Sequence, residues 1–139
     1  MNFKPIINKN INNLKKNVYA GFNVTCIGDN RSYSYLPTRN GSTISDEIAK
    51  HVLLQKDKNF KKYLWKDRGS DERQYNSPGF NLPVGNLSRT VYGKYSRYHN
   101  SGDDKNFMNI SMIEKSVNEI EEILKVYDYL LPIKRSNPF

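Results

Sequence analysis

Between Ile110 and Leu131, apolar residues recur at Ile110, Ile113, Val117, Ile120, Leu124, Tyr127 and Leu131, alternately three and four positions apart. That spacing lines one side of a helix of about six turns, which needs an apolar surface to cover. Ser111 with Glu114 has the form of a capping box at its start, and Pro132 ends the pattern. The same spacing also fits a pairing seam between two copies of the chain, so a homodimer stays open beside core packing. The tail from Ile133 to Phe139 is expected to be loose.

The surface for such a helix is read upstream. Val18, Ala20, Phe22, Val24 and Cys26 alternate with Tyr19, Gly21, Asn23, Thr25 and Ile27, the period-two pattern of a strand that ends at Gly28-Asp29-Asn30. A polar, aromatic connection from Arg31 to Asn40 leads to Ser42 and Thr43. Either can cap a helix running to about Lys56, with Ile44, Ile48, Val52 and Gln55 on one face and Asp46 and Glu47 at its positive end. Phe60 to Lys66 and Leu87 to Tyr92 read as two further strands. Gly69, Pro78, Gly79, Pro83 and Gly85 make the stretch from Arg68 to Gly85 a long loop. Loops of that length inside a compact domain usually carry function. Strand, helix, strand, loop, strand, helix is the order of an α/β layered domain with a mixed sheet.

At 139 residues the chain has the size of one domain, and an aromatic content of 12% separates it from disordered chains despite a mean hydropathy of -0.78. A net charge of +8 favours anionic partners. The densest basic run, Lys56, Lys58, Lys61, Lys62, Lys66 and Arg68, interleaves Tyr63 and Trp65 where bases could stack, but the solvated-surface reading fits it better. Nucleic acid is therefore not the expected partner. One cysteine, Cys26, cannot form an internal disulfide, and no segment has the length and apolarity of a signal peptide or membrane span. These features give a cytoplasmic protein without a membrane partner as the expectation.

In open α/β sheets, ligands bind beyond the carboxyl ends of strands, which makes Asp29 a candidate site residue, although an Asp after a Gly is commonly a turn former. Of the two histidines, His51 lies one position off the apolar face of its helix. His99 sits in Tyr98-His99-Asn100-Ser101-Gly102-Asp103-Asp104, among the hydroxyls and carboxylates that support a ligating imidazole.

Gly28-Asp29, Gly69-Ser70-Asp71-Glu72-Arg73-Gln74-Tyr75, Pro78-Gly79-Phe80-Asn81-Leu82-Pro83-Val84-Gly85, Arg89-Thr90-Val91-Tyr92-Gly93 and Tyr98-His99 occur in the order of one family. The chain resembles the C-terminal half of the bacterial aminopeptidase-like domain proteins of polysaccharide-biosynthesis loci, a branch of the co-catalytic zinc aminopeptidases. The resemblance implies a three-layer α/β/α sandwich and two zinc ions, which would polarise an amide carbonyl and generate hydroxide. It assigns Asp29 and His99 as zinc ligands of the two ions and Asp103 as support for the histidine. Tyr98 joins the same pocket, while Asp71, Glu72 and Arg73 match a segment that recognises substrate termini. The implied substrates are peptide-like or small amides.

The resemblance also implies a His, a bridging Asp and a Glu upstream of the strand ending at Asp29, yet residues 1 to 17 contain no His, Asp or Glu. Asn76 and Asn100 stand where the pattern has Cys and Thr, and the winged-helix segment that the resemblance implies after the last helix is not expected within these residues. Residues 1–17 are expected to be an N-terminal extension or remnant, 18–131 the aminopeptidase-like half-domain and 132–139 the tail. Zinc takes at least three protein ligands, so the expectation is a fragment inactive alone, completed by an upstream half-domain chain or another partner. The alternative is a non-catalytic module that binds an anionic glycan, peptide or nucleic acid through its basic surface.

Overall fold

The structure is a computed structural model and describes residues 4–130. It is a layered α/β fold in which α1 (Lys4–Asn17), β1 (Gly21–Val24), β2 (Ser34–Leu36), α2 (Ile44–Lys56), β3 (Lys61–Lys62), α3 (Glu72–Tyr75), β4 (Val84–Ser88) and α4 (Ile110–Leu130) follow in order. The sheet order is β1-β4-β2-β3. It is mixed: β1 runs parallel to β4, β2 antiparallel to β4, and β3 parallel to β2.

The alternation of side chains along β4 assigns the layers. Leu87 joins Tyr35, Ile48, Ala49, Val52, Leu53 and Ile123 in a core between the sheet, α2 and α4. Val84 faces the other way and packs with Phe80 and Leu82, against Ile11 and Leu14 of α1 and Tyr75 of α3. Helices thus cover both faces of the strand pair β1–β4, the α/β/α arrangement that the resemblance implies. Residues 4–17, part of the expected N-terminal extension, supply α1. Its asparagines are poor helix formers, so tertiary packing of Ile11 and Leu14 outweighs local propensity.

α2 starts and stops where its sequence predicts, with Thr43 at its N-cap. Its buried face differs from the expected one: Ser45, Asp46, Ala49 and Leu53 join Ile48 and Val52, while Ile44 is 41% exposed. The cause is polar. Asp46 is wholly buried and accepts hydrogen bonds from Tyr35 Oη (3.0 Å), Thr38 N (2.8 Å), Thr38 Oγ1 (2.6 Å), Thr43 N (2.7 Å) and Thr43 Oγ1 (2.8 Å). Burial pushes its carboxyl up, but the Thr38 and Thr43 donors together outweigh burial and hold it below the usual carboxylate value. Burial and the Asp46 charge push the Tyr35 hydroxyl far up, so it remains a donor. Gly85 leaves room for that hydroxyl, since a Cβ there would lie 2.1 Å from Tyr35 Oη.

α4 also begins where predicted, but its packing seam is displaced. Ile113, Ile120 and Tyr127 face inward with Ser116 and Ile123, whereas Ile110, Val117 and Leu124 are 83%, 52% and 50% exposed. The seam 113–116–120–123–127 keeps the three-four spacing and is shifted because Ser116 must approach Arg89. Arg89 is buried and donates from Nε to Ser116 Oγ (2.9 Å), from Nη1 to Arg31 O (2.7 Å) and from Nη2 to Tyr33 Oη (2.8 Å). The capping box expected at Ser111 and Glu114 is replaced by Asn109, whose Oδ1 accepts from Ser111 N (2.9 Å) and Ser111 Oγ (2.7 Å).

The strands are shorter than their patterns. Phe60–Lys66 narrows to Lys61–Lys62 because Asp67 Oδ2 accepts Leu64 N at 3.1 Å and winds Trp65–Asp67 into a 3-10 turn. The strand expected at Leu87–Tyr92 is Val84–Ser88, since Arg89 turns toward α4. β2, fully buried, was hidden in the expected connection because three residues show no period. The expected loose tail 132–139 and Leu131 lie outside the described residues.

Asp46→Ala strands several buried donors and is expected to cost about 3 to 5 kcal/mol in a urea titration. Because the folded carboxyl titrates below its unfolded value, its stabilisation is present above about pH 4 and is lost as pH falls through the folded pKa. The Asp46→Ala chain should therefore show a shallower loss of stability below that pH than the parent.

Candidate functional site

The parallel pairing of β1 with β4 continues past the strand ends: Thr25 N donates to Leu87 O (3.1 Å) and Arg89 N to Cys26 O (3.0 Å). Both strands thus deliver their following segments to one end of the sheet. Asp29, 4% exposed, fastens them. Its Oδ1 accepts Arg31 N at 2.8 Å, which closes its own turn, and its Oδ2 accepts Thr90 N at 3.2 Å, which holds the segment after β4. From the far side, Asn109 N donates to Gly28 O at 2.9 Å, and Ser116 Oγ hydrogen-bonds Ile27 O at the same distance. The start of α4 is thereby fixed against the Asp29 turn.

A cavity of about 430 Å³ opens at this end. Asp29, Tyr98, His99 and Asp103 all line it, with Cys26, Tyr95 and Phe107 among the other walls. Cys26 (φ 53°) and His99 (φ 58°) both hold left-handed backbone conformations, disfavoured for residues with a Cβ. The His99 ring stacks on Tyr98 at 4.0 Å, and Tyr98 meets Tyr95 edge-on at 5.6 Å. Burial pushes the Tyr95 hydroxyl well up, and its hydrogen bond to Cys26 Sγ (3.6 Å) adds to the shift. The Tyr98 hydroxyl is raised by burial and then by Cys26. Both phenols thus stay neutral donors at ordinary pH.

The segment Asp71-Glu72-Arg73 does not line this cavity. Glu72 is wholly buried, and its Oε1 accepts Gly69 N (2.9 Å), Ser70 N (3.1 Å) and Tyr92 Oη (2.7 Å). Asn23 Nδ2 reaches Glu72 Oε2 at 3.3 Å and Asn86 Oδ1 at 2.8 Å. Burial, then the Glu72 contact and charge, raise the Tyr92 hydroxyl. A Cβ on Gly69 would lie 2.6 Å from the Tyr92 ring, so only glycine admits this approach. Glu72 therefore anchors the loop before α3 to the segment after β4. Arg73 instead lines a second cavity with Arg39, Trp65 and Arg68, and Asp71 lies half-buried at the start of α3.

Among the described residues, no group of three His, Cys, Asp or Glu side chains is arranged to hold a metal ion. Asp29 and His99 share a cavity, but each Asp29 oxygen already accepts a backbone N–H. The donors among the described residues do not by themselves fit a zinc ion. No described helix is long and apolar enough to cross a membrane. Sequence reasoning missed Tyr95, Phe107, Cys26 and Arg39 as cavity walls. None stands in a diagnostic motif, and their convergence depends on tertiary placement.

Glu72→Ala is expected to destabilise the chain by about 3 kcal/mol and Glu72→Gln, which keeps an acceptor for Tyr92, by about 1 kcal/mol in guanidinium unfolding.

The family model described as "Domain of unknown function (DUF4910)" matches residues 5–129. A Clostridium acetobutylicum protein named "Putative polysaccharide biosynthesis protein with aminopeptidase-like domain" is 37% identical over 109 residues, covering 78% of this chain and 25% of the relative. A crystal structure of a "putative peptidase" from Clostridium acetobutylicum aligns with a TM-score of 0.81 at 34% identity, covering 88% of this chain and 28% of that one. The chain spans about a quarter of the length of the curated relative it matches.

Proposed function

The chain belongs to the DUF4910 family, and from that premise we propose that it is part of a zinc-dependent aminopeptidase-like hydrolase, catalytically silent by itself. The observation that carries this reading is the meeting of Asp29 and His99 on one cavity at the end of the parallel strand pair. Ligands collect at that end of α/β sheets. The left-handed backbone of His99 supports it too, because such conformations concentrate where function holds them.

On this reading Asp29 and His99 are two groups of a dinuclear centre, and the remaining ligands and the general base lie outside the chain. If an outside half-domain completed the ligand set, Asp29 and His99 would help hold zinc, whose chemistry would be to polarise an amide carbonyl and activate water. The chain's own contribution is positional. The Thr90 and Arg31 amides fix the Asp29 carboxylate, Tyr98 holds the His99 ring by stacking, and Asp103 supplies a second carboxylate on the wall. Tyr98 offers a neutral hydroxyl that can donate to a carbonyl or carboxylate of a peptide-like substrate, while the Tyr95 hydroxyl is directed to Cys26 Sγ. An upstream half-domain is the partner that this division of ligands requires.

Calorimetric titration with zinc, paired with hydrolysis of an aminoacyl anilide, tests the proposal. The isolated chain should bind zinc no tighter than about 100 μM, as expected for an incomplete ligand set, and show no turnover. Micromolar zinc binding together with turnover would refute it.

A further inference from the structure

The second cavity, about 530 Å³, lies where the loop after β2, the 3-10 turn and α3 meet. It shares no residue with the cavity of Asp29 and His99. Three of its walls are arginines, Arg39, Arg68 and Arg73, and no Asp or Glu lines it. Among the described residues, neither the Arg39 nor the Arg73 side chain has a hydrogen-bond or ion-pair partner. Arg68 lies 5.1 Å from the Trp65 ring centroid and reaches only the Trp65 carbonyl, at 3.4 Å.

Three exposed guanidinium groups line one concavity and give it a positive field that attracts an anion. Elsewhere the chain gives its buried arginine several fixed partners, as at Arg89. Here the frame is fixed while the cations are left open. Asn76, 1% exposed, accepts Arg39 N at 2.9 Å through Oδ1 and donates through Nδ2 to Glu72 O (2.9 Å) and Val84 O (2.6 Å). One buried amide therefore sets the Arg39 loop, α3 and β4 in register, so the backbone beneath Arg39 and Arg73 is held rigidly.

We propose that this cavity binds the oxyanion group of a small ligand, a carboxylate or a phosphate, through Arg39, Arg68 and Arg73, with Trp65 as its flat wall. Planar guanidinium forks match both oxyanions in geometry. The site is independent of the hydrolase reading and survives if zinc chemistry fails.

Trp65 is the only tryptophan in the sequence, so its fluorescence reports on this cavity directly. The full chain is titrated at low ionic strength with inorganic phosphate and, separately, with succinate. Saturable change with either probe is expected, and the tighter probe identifies the phosphoryl or carboxylate source. Arg39→Gln combined with Arg73→Gln should weaken binding by about fivefold or more. The charge-matched control Lys105→Gln combined with Lys115→Gln, beside the start of α4 on the other face of the sheet, should change it by less than about twofold, since screened charges act only nearby. The mutated arginines have no partners to lose, and an unchanged melting temperature confirms the fold. No saturable response to either probe, or equal weakening by the control pair, would overturn the proposal.

Discussion

The parallel register of β1 on β4 is the constraint from which the rest of the molecule follows. Gly21 opposite Val84 through Val24 opposite Leu87 sends two chain segments out of the same end of the sheet. There, backbone bonds from Thr25 and Arg89 prolong the pairing, and the Asp29 carboxylate takes the Thr90 amide. A slip of one residue would turn Leu87 out of the main core and move the Thr90 amide away from Asp29. The hydrophobic register and the cavity geometry are therefore set by the same pairing.

Three buried polar residues then spread that order through the layers. Asp46 binds the loop after β2 to α2, Arg89 binds the end of β4 to α4, and Glu72 binds the loop before α3 to Tyr92. Each is enclosed by several donors or acceptors, the condition under which burial of a charged group is tolerated. Ser116 shows how polar demand redirects packing. By meeting Arg89 it moves the α4 seam off Ile110, Val117 and Leu124, leaving those three residues exposed.

Much of this was legible in the sequence where local rules govern. α2 starts where its cap and α4 where its periodicity place them, and the mixed α/β class and the aminopeptidase-like family follow from strand–helix order and the Gly-Ser-Asp-Glu-Arg-Gln-Tyr run. β2 was not legible because three fully buried residues carry no alternation. α1 was not, because its asparagines hide a narrow Ile11–Leu14 face. In the candidate sites, the Asp29 turn and the Tyr98-His99 loop could be found by motif. Arg39, some thirty residues from Arg68, could not, because a tertiary bond from Arg39 N to Asn76 Oδ1 brings its loop to α3.

Similarity to an aminopeptidase-like relative covers a quarter of that relative's length, and the cavity of Asp29 and His99 lacks a third ligand among the described residues. A shared site at this end requires that the turn after β1 and the loop before α4 face one space. Cys26, the single native thiol, lines that cavity with His99, so His99→Cys places two thiols on its walls. Treatment of that variant with a short bis-maleimide, read by mass spectrometry at several protein concentrations, should give one reagent bridging both thiols at a rate independent of protein concentration. Two separately attached reagents per chain at every concentration would contradict the account.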